Sequence, residues 1–581
     1  MKRRGAGTLR AAEIGSSVLL QAWVQRRRDL GGMLFLDLRD RSGVCQVVVR
    51  PEESPEVAAA LEPVRAEWVV EIEGDVVRRE SVNQQMPTGE IEVVARRAAV
   101  LSTCEPLPFG LDEHSEAFED LRLKYRYLDL RRPELQRNLI LRHRVTQETR
   151  RYFDEQGFLE IETPILTKST PEGARDYLVP SRVHPGEFYA LPQSPQIFKQ
   201  LCMIAGFEKY VQIARCFRDE DLRADRQPEF TQIDLEMSFP TEEDVYELIE
   251  GLFARLMPLV GVEIATPFPR MTYAEAMARY GIDRPDLRFG LEIRDVTRFC
   301  EEISFQVFQK NFSEGGAIRA VVVPGGASVS RSKVDSWGEI AKKHGLPGLL
   351  TLKRTSGELA FQVKSVLVEE LEPIAAELEL REGDLALLAA GPADVVAPAL
   401  GALRLELGKQ LGLVAPGQWK FVWVTEFPLF EWHVEDGRWY STHHPFTSPD
   451  PRDIDRLESD TGAVRARAYD VVLNGTELGG GSIRIHDSRV QSRVFELLGI
   501  GEEEARHRFG FLLDALKLGA PPHGGVALGL DRIVMMLGGA ASLREVIAFP
   551  KTASATDLMT DAPSAVDERQ LAELGIALRR G

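Results

Sequence analysis

The sequence predicts an α+β protein of several domains that begins with a small β-barrel. Three observations support this: five short strand patterns fill about the first 105 residues, a long helical pattern follows, and strand and helix patterns then alternate. The chain has 581 residues, enough for about four domains at roughly 150 residues each. Its 44% hydrophobic and 28% charged residues are typical of a globular protein with a sizeable core, which excludes general disorder.

The N-terminal strands are expected to close into a five-stranded barrel. They are Ser17–Val24, Met33–Arg39, Val44–Val49, Trp68–Arg79 and Glu90–Leu101. In the second strand Phe35 lies on the polar face, opposite Leu34 and Leu36. A phenylalanine beside the run Arg26–Arg28 is typical of an oligonucleotide-binding (OB) fold, since its ring can stack on an unpaired base. The alternative is that a loop covers Phe35 and the arginines form a solvated face.

Charge is distributed unevenly along the chain. There are 71 Lys and Arg against 89 Asp and Glu, a formal net charge of −18, which taken alone argues against a nucleic-acid partner. Residues 1–30, however, contain seven basic side chains and two acidic ones. The balance therefore predicts a locally basic path for one nucleic acid on a body that repels other polyanions.

The N-terminal residues, the apolar runs and the cysteine spacing argue against a secreted, membrane-spanning or disulfide-rich protein. The first residues do not form a secretory signal, and no apolar run approaches the roughly 18 residues of a membrane span. The cysteines are scattered and form no C-x-x-C pair; they are Cys45, Cys104, Cys202, Cys216 and Cys300. The spacing predicts neither a disulfide framework nor a zinc site, and reduced thiols in the cytoplasm are expected.

The segment from Tyr210 to Phe239 predicts a strand, a polar loop and a second strand. On the second strand Asp234 and Glu236 share a polar face, which an apolar face backs. The loop is rich in arginine, beginning with Arg218, and such a loop can clamp a polyanion such as a nucleoside triphosphate. From the pattern alone, the polar face is as consistent with solvent as with a substrate.

A short helix is predicted just upstream of this segment. Ser194 is its expected N-cap and Pro195 its first residue, with Gln196 and Lys199 on one side of the first turns. A helix start beside a lysine favours the binding of a carboxylate. The alternative is an ordinary capped surface helix.

The dipeptide Asn474-Gly475 predicts a tight hairpin. This turn places Asp470 and Glu477 on one face as diagonal neighbours. Two carboxylates beside a triphosphate suit Mg²⁺. Arg484 would fall on the opposite face of a regular strand, so we expect a bulge within the three glycines 479–481 that returns it to the site.

Several segments resemble a known family. CFRDED and FTQIDLEMSF resemble motif 2 of the class II aminoacyl-tRNA synthetases, GLDR resembles motif 3, and the long helix followed by FLEIETPIL resembles motif 1. The segments TPEGARDY, PQSPQIFKQ, HHPFTSP, LNGTELGGGSIRIHD and HGGVALGLDR resemble the bacterial aspartyl members of that family. The motifs occur in the family's order and extend over nearly the whole chain.

The resemblance implies a catalytic domain with an antiparallel sheet flanked by helices, an N-terminal anticodon-binding barrel, an α/β insertion domain and a homodimer. It divides the chain into a barrel (1–105), a hinge (106–135), a first catalytic part (136–288), an insertion domain (289–415), a second catalytic part (416–555) and a C-terminal extension (556–581). One local departure is that Ile282 and Arg284 stand where the family usually has a small residue and a lysine.

The resemblance also implies site residues. L-Aspartate would be bound by Glu172, Ser194, Gln196, Lys199, Arg218, Asp234, His443 and Arg484. ATP would be bound by Arg218, Asp219, Glu220, Gln227, Glu477, Gly529, Leu530, Asp531 and Arg532, and Mg²⁺ by Asp470 and Glu477. The anticodon would be read by Arg28, Phe35, Gln46 and Glu92. Arg218, Arg532 and Glu477 would act in catalysis, by positioning and by stabilising charge.

The implied activity is formation of aspartyl-adenylate from aspartate and ATP with Mg²⁺, followed by transfer of aspartate to the 3′ end of tRNA(Asp). No zinc or organic cofactor is expected. A form that also charges tRNA(Asn) is the alternative, and Leu30 favours the selective form. A synthetase for asparagine or lysine fits less well. A neutral amide would gain no attraction from the cations Arg484 and Lys199, and these cations would repel a lysine side chain. A tRNA-independent aspartate-activating enzyme, such as an asparagine synthetase, leaves the barrel unexplained.

Overall fold

The structure, a computed structural model of the chain, describes residues 2–111, 117–170, 175–220 and 226–579. The chain forms two compact units, Met1–Ala117 and Phe118–Gly581. Among the described residues, no helix combines the length and the apolar character that crossing a bilayer requires.

The first unit contains a closed five-stranded barrel, which confirms the prediction of an OB fold. Its elements are β1 (Ser17–Leu30), β2 (Met33–Asp40), β3 (Gly43–Val49), α1 (Pro55–Leu61), β4 (Val69–Arg78) and β5 (Ile91–Ser102). The strand order is β1-β2-β3-β5-β4, with β3 and β5 parallel. Leu34, Leu36 and Leu38 are buried in the barrel core, as the alternation predicts. β1 runs past Val24 to Leu30 because its second half pairs with β2.

The second unit is built on an eight-stranded sheet with helices packed against it. Its first elements are α2 (Glu119–Lys124), α3 (Arg126–Asp129), α4 (Pro133–Glu155), β6 (Leu159–Glu160), β7 (Leu178–Pro180), β8 (Phe188–Ala190), α5 (Gln196–Ile204), β9 (Lys209–Phe217), β10 (Glu229–Ser238), α6 (Glu242–Leu256), β11 (Arg270–Thr272) and α7 (Tyr273–Tyr280). The predicted long helix is α4, and Gly157 ends it with a φ of 76°, a conformation that suits glycine.

A second, five-stranded sheet interrupts the first. Its region contains β12 (Arg294–Asp295), α8 (Gln306–Ser313), β13 (Ala317–Val323), α9 (Arg331–Lys343), β14 (Leu350–Thr355), β15 (Glu358–Phe361), α10 (Glu372–Glu377), β16 (Leu385–Gly391) and α11 (Ala393–Gln410). The strand order is β12-β13-β16-β14-β15. Each face of this sheet has its own core, because Ile318 and Ala320 of β13 pack on one side while Val321 and Val323 pack on the other.

The chain then returns to the eight-stranded sheet. The remaining elements are β17 (Phe421–Thr425), β18 (Phe430–His433), β19 (Arg438–Ser441), β20 (Ala468–Leu473), β21 (Thr476–Ile483), α12 (Ser488–Leu497), α13 (Glu502–Leu516), β22 (His523–Gly529), α14 (Leu530–Gly538) and α15 (Glu568–Glu573). The sheet order is β11-β17-β20-β21-β22-β10-β9-β6. The inner neighbours are antiparallel, as predicted, whereas the edge strands β6 and β11 run parallel to β9 and β17.

The hairpin β20–β21 has the predicted turn but a different bulge. Asp470 pairs with Gly480, while Val472 pairs with Glu477, so the extra residue is Leu478. The ladder is regular through the three glycines, so the prediction of a bulge within them was wrong. The bulge at Leu478 still changes which face the later residues occupy, and Arg484 joins the same cavity as Lys199.

The central strand β10 explains where the site lies. Ile233, Leu235 and Met237 point into the main core between the sheet and the packed helices. Asp234 and Glu236 point to the opposite face, and both are fully buried. This polar face is therefore not a solvent face, because the protein itself covers it.

Candidate active site

A cavity of about 160 Å³ lies over the polar face of β10. Seven of the residues predicted to bind aspartate line it: Ser194, Gln196, Lys199, Arg218, Asp234, His443 and Arg484. The eighth, Glu172, lies outside the described residues. These side chains come from segments almost 300 positions apart, which the sheet brings together.

The floor of this cavity holds two cations against two carboxylates. Lys199 Nζ lies 2.7 Å from Asp234 Oδ1 and 3.2 Å from Glu236 Oε2. Arg484 donates to Glu236 through Nε (2.9 Å) and Nη2 (3.2 Å), which is a fork on one carboxylate. All four side chains are at most 2% exposed. Such a buried set is held in place because removing any one member would leave an uncompensated charge.

The two carboxylates respond differently to this environment. Burial raises the pKa of Asp234, and the attraction of Lys199 opposes this without cancelling it. Burial also acts to raise the pKa of Glu236, but Arg484 and Lys199 outweigh it and the net pKa is lowered. Glu236 is therefore a fixed anion that holds both cations.

Several polar groups of the cavity have no hydrogen-bond partner among the described residues. They are Oδ2 of Asp234, Nε of Arg218 and Nδ1 of His443. Oδ1 of Asp234 has the ammonium of Lys199 as its partner, at 2.7 Å. Buried polar atoms without partners are uncommon, so these groups are expected to bind a ligand that carries both donors and acceptors.

His444 and Arg484 meet at one wall of the first cavity. Burial lowers the pKa of His444 well below its usual value, so the ring is neutral and one of its nitrogens can accept. Arg484 Nη1, which can only donate, lies 2.5 Å from His444 Nε2 and also donates to Ser482 Oγ (2.7 Å). His444 and Ser482 therefore orient the guanidinium, the group that suits a carboxylate.

The helix that carries Lys199 begins slightly later than predicted. α5 starts at Gln196 with Pro195 as its N-cap, whereas Ser194 was the expected cap. The Ser194 hydroxyl nevertheless accepts from the backbone N–H of Gln196 at 3.3 Å. Gln196 and Lys199 are buried rather than exposed, so the reading as an ordinary surface helix does not hold.

A second cavity, of about 230 Å³, adjoins the first. It contains seven of the nine residues predicted to bind ATP: Arg218, Glu220, Gln227, Glu477, Gly529, Asp531 and Arg532. Arg218, Gln232 and Ala527 line both cavities. The guanidinium of Arg218, which also stacks over Phe230 at 5.2 Å, therefore lies where ligands in the two cavities would meet.

Four of the residues predicted for ATP have other contacts in the structure. Leu530 is buried in the main core, and Asp219 lies 3.9 Å from Arg175 without lining the cavity. The Asp531 carboxylate accepts from Arg142 (2.5 Å) and from the backbone N–H of Thr231 (2.7 Å). Gln227 exchanges two hydrogen bonds with the backbone of Lys551. Side-chain contacts to ATP are therefore least expected from Leu530 and Asp219.

Asp470 and Glu477 form a pair of like charges: Glu477 lines the second cavity, and Asp470 Oδ1 lies 3.7 Å from His443 Nε2 of the first. Burial raises the pKa of Glu477, and the nearby carboxylate of Asp470 raises it further. A side chain at Gly480 would collide with Asp470 Oδ1, so the glycine leaves room for this carboxylate. A divalent cation would relieve the repulsion, and two carboxylates completed by phosphate oxygens suit Mg²⁺. No cluster of three or more potential metal ligands occurs in the described part of the chain.

The barrel residues predicted to read an anticodon lie together. Phe35 on β2 is opposite Arg28 on β1. Arg28 Nη2 donates to Gln46 Oε1 (3.4 Å), and Gln46 Nε2 donates to Glu92 Oε2 (2.8 Å). Burial raises the pKa of Glu92. An aromatic ring beside a chain of donors and acceptors can stack on a base and read its edge.

Sequence reasoning missed two residues at the first cavity: His444, which lines it, and Glu236, which holds the lining residues Lys199 and Arg484. The alternation of β10 placed Glu236 on the same face as Asp234, and this signal could have identified it. Its role as the partner of both Lys199 and Arg484 depends on contacts between distant segments. His444 had only the adjacent His443 as a signal, and nothing in the sequence distinguishes which ring meets Arg484.

Known families match both units of the chain. The family described as tRNA synthetases class II (D, K and N) matches residues 118–553, and the OB-fold nucleic acid binding domain matches residues 18–101. The Aspartate--tRNA ligase of Geobacillus kaustophilus is 54% identical over 577 residues, which are 98% of this chain and 98% of that protein. The Aspartate--tRNA(Asp/Asn) ligase of Anoxybacillus flavithermus is 54% identical over 571 residues, covering 97% of this chain and 96% of its own.

Solved structures share the fold. An asparaginyl-tRNA synthetase from Pyrococcus horikoshii, complexed with asparaginyl-adenylate, has a TM-score of 0.59 at 18% identity and covers 95% of this chain and 98% of its own. An aspartyl tRNA synthetase from Entamoeba histolytica has a TM-score of 0.57 at 19% identity and covers 94% of this chain and 91% of its own. At such low identity the similarity concerns the fold alone.

Proposed function

Because the chain belongs to the class II tRNA synthetases of the D, K and N group, we propose that it acts as an aspartate–tRNA ligase. The observation that carries the proposal is the arrangement of charge in the first cavity. Its described residues provide the cations Lys199, Arg484 and Arg218 against the anions Asp234 and Glu236. The resulting single positive charge complements aspartate, which carries two carboxylates and one ammonium group.

Each group of aspartate has a counterpart in this cavity. The side-chain carboxylate takes the donors of Arg484, with Lys199 nearby as a point charge. The ammonium donates to Asp234, whose Oδ1 is paired with Lys199 at 2.7 Å and whose Oδ2 has no hydrogen-bond partner among the described residues. Ser194 and Gln196 lie beside it. Asparagine would bring an amide donor to the point where Arg484 already donates, and a lysine side chain would bring a cation.

The first step joins the two cavities at Arg218. The α-carboxylate of aspartate attacks the α-phosphorus of ATP, the bond to the bridging oxygen breaks, and pyrophosphate leaves. No protein nucleophile is needed because the attacking group is already ionised. Arg218 stabilises the charge that develops at the phosphorus, and Arg532, which donates to the backbone oxygen of Glu477 at 2.6 Å, supports the triphosphate.

Glu477 and Asp470 would hold Mg²⁺ together with the phosphate oxygens of ATP. When bound, the ion would neutralise part of the triphosphate charge. The repulsion between these two carboxylates supports this assignment, because a cation between them removes it. Asp219, Glu220, Gln227, Gly529, Leu530 and Asp531 complete the proposed ATP site, Gly529 and Leu530 through their backbone.

In the second step a terminal ribose hydroxyl of the tRNA attacks the carbonyl carbon of the adenylate, and AMP leaves. The barrel, residues 1–105, would select the tRNA by stacking Phe35 on an anticodon base and reading the base edges through Arg28, Gln46 and Glu92. Residues 136–288 and 416–555 would form the catalytic domain. Residues 106–135 would act as a hinge, 289–415 as an insertion domain and 556–581 as a C-terminal extension.

We further propose that the protein is selective for tRNA(Asp). Relatives carry both kinds of name, with and without asparagine tRNA, so the comparison leaves the form of this protein to experiment. Purified protein should be offered tRNA(Asp) and tRNA(Asn) separately with labelled aspartate. Charging of tRNA(Asp) alone supports the selective form, while charging of both identifies the alternative.

A homodimer in the cytoplasm completes the proposal. Exposed apolar side chains lie in and just after β6, at Leu159, Ile165 and Leu166, and a partner surface could cover them. Sedimentation at micromolar concentration tests this. A chain of 64.9 kDa should sediment as a dimer, and a monomer at that concentration would contradict the assembly.

A further inference from the structure

Arg284 lines the second cavity but has no assigned role. Its side chain is exposed, and no hydrogen bond or ion pair joins it to another described residue. We infer that Arg284 binds the terminal phosphates of ATP, those that leave as pyrophosphate. This inference rests on the proposed function, because it assumes that ATP occupies the cavity.

The other arginines of this cavity are already engaged. Arg226 forms an ion pair with Glu220 at 3.0 Å. Arg532 donates to the backbone oxygen of Glu477, and Arg218 lies at the wall shared with the aspartate cavity. A triphosphate needs positive charge along its whole length. Arg284 lines the second cavity but not the first, and among the lining residues that the structure describes it is the cation left for the phosphates away from Arg218.

The loop that carries Arg284 is braced against the hairpin of Glu477. Two positions along, Asp286 accepts a fork from Arg288, with contacts of 2.6–3.2 Å. A side chain at Gly475 would meet Asp286 Cβ at 3.0 Å, so the loop packs directly on the β20–β21 turn. The loop and the hairpin therefore hold Arg284 and Glu477 close to each other. Arg284 would bind the phosphates directly, and Glu477 would bind the Mg²⁺ that accompanies them.

The inserted sheet fixes the loop from its other side. Arg404 of α11 is fully buried and donates to the backbone oxygens of Asp286 (2.8 Å), Phe289 (2.7 Å) and Gly290 (2.9 Å). Its guanidinium also stacks on Phe289 at 4.1 Å. The loop is thus held between the inserted sheet and the β20–β21 hairpin. Arg284 is therefore already positioned at the cavity, and ATP binding need not order the loop.

The test compares Arg284→Gln with Arg284→Lys and with a control, Arg279→Gln. Arg279 is a nearby cation that pairs with Glu292 at 2.7–2.9 Å and does not line the cavity. The Michaelis constants for ATP and pyrophosphate are measured by exchange in the full-length protein, together with inhibition by AMP. Direct titration of ATP with magnesium gives the same comparison even if the amino acid is not aspartate.

We expect Arg284→Gln to raise the constants for ATP and pyrophosphate about tenfold, the equivalent of about 1.4 kcal/mol. Inhibition by AMP, which lacks the terminal phosphates, should stay within twofold, and Arg284→Lys should recover most of the loss. The inference is overturned if Arg284→Gln matches Arg279→Gln, or if AMP inhibition weakens as much as ATP binding does. Parent protein that binds ATP but shows no exchange with aspartate would instead contradict the proposed function.

Discussion

The aspartate cavity and the ATP cavity share a wall but differ in how their charged side chains are arranged. In the aspartate cavity Lys199 and Arg484 are paired with Asp234 and Glu236, and all four are buried. In the ATP cavity Glu477 repels Asp470, and the exposed Arg284 makes no hydrogen bond or ion pair with the described residues, although its charge lowers the pKa of Glu477. The cations of the first cavity are paired before a ligand binds, whereas the second cavity holds like charges that a ligand with its metal ion would compensate.

This difference matches what each ligand brings. The enzyme must distinguish its amino acid from analogues that differ in one functional group. A rigid, desolvated set of donors and acceptors does this, because the wrong functional group leaves a buried donor or acceptor without a partner. ATP arrives with a metal ion and several charged oxygens, so the ligand itself can complete the site. Substitutions in the two cavities should therefore fail in different ways.

The largest effect is expected from Arg484→Leu. This change removes the fork to Glu236 and the guanidinium expected to bind the aspartate carboxylate. Aspartate-dependent pyrophosphate exchange should be abolished, and the free energy of unfolding should fall by about 3–5 kcal/mol because a buried carboxylate loses a cation. Exchange measurements and thermal unfolding check this.

A double variant separates the two losses. The double variant Arg484→Leu with Glu236→Gln no longer has the buried Glu236 carboxylate that lost its cation. The free energy of unfolding should therefore largely recover, while pyrophosphate exchange stays absent. Exchange within a few-fold of the parent in either variant would contradict the role of Arg484.

Arg218→Ala should affect both cavities at once, since Arg218 is their shared arginine. We expect adenylate formation to slow by about 10²–10³-fold, the usual loss when a group that stabilises developing charge is removed. Rapid-quench measurement of the adenylate isolates this step. A variant that instead shows only weaker aspartate binding, with an unchanged rate of adenylate formation, would confine Arg218 to the first cavity.

Asp234→Asn should weaken aspartate binding about 30-fold, because an amide offers the ammonium a poorer acceptor than a carboxylate. The matched ligand is succinate, which is aspartate without the ammonium group. Inhibition by succinate should be unchanged or stronger in the variant. Equal losses for aspartate and succinate would show that Asp234 shapes the cavity rather than receiving the ammonium.

The same residue predicts a pH effect confined to one cavity. Burial raises the pKa of Asp234, so in the free enzyme it is ionised only above a pH higher than usual for an aspartate. As pH falls through that raised pKa the acceptor is lost, and kcat/KM for aspartate should fall while kcat/KM for ATP does not follow it. Asp234→Asn should abolish this acid limb. A limb that persists unchanged in the variant belongs to another group.

The smallest effect lies in the barrel and should leave both cavities untouched. Phe35→Ala should lower kcat/KM for tRNA charging about tenfold, since stacking on a base contributes about 1–3 kcal/mol. Pyrophosphate exchange should not change, and Phe35→Trp should retain charging. If charging stays at the level of the parent in Phe35→Ala, the ring does not contact the tRNA.

The sequence predicted the strands and most of the site, but not the contacts that depend on distant segments. Alternation along β10 correctly grouped Asp234 and Glu236, and the Asn474-Gly475 turn correctly placed Asp470 near Glu477. The bulge was misplaced because glycines suggest irregular backbone. Here they permit close packing, since side chains at Gly479 and Gly481 would collide with the backbone of β22. Leu478, which is the bulged residue, carries no signal.

Arg284 shows the same limit on the ATP side. Its position between α7 and the inserted sheet gave no motif, and the loop that carries it is held by contacts with the distant residues Arg404 and Gly475. Local patterns thus identify which residues share a strand face. Which faces meet is decided by packing between segments that are far apart in the chain.

The most direct test of the account is pyrophosphate exchange by the purified protein with aspartate, asparagine and lysine in turn. The charge arrangement of the first cavity predicts exchange with aspartate and none above background with the other two at the same concentrations. Exchange with asparagine or lysine equal to that with aspartate would contradict the assignment of Arg484, Lys199 and Asp234 to the recognition of aspartate.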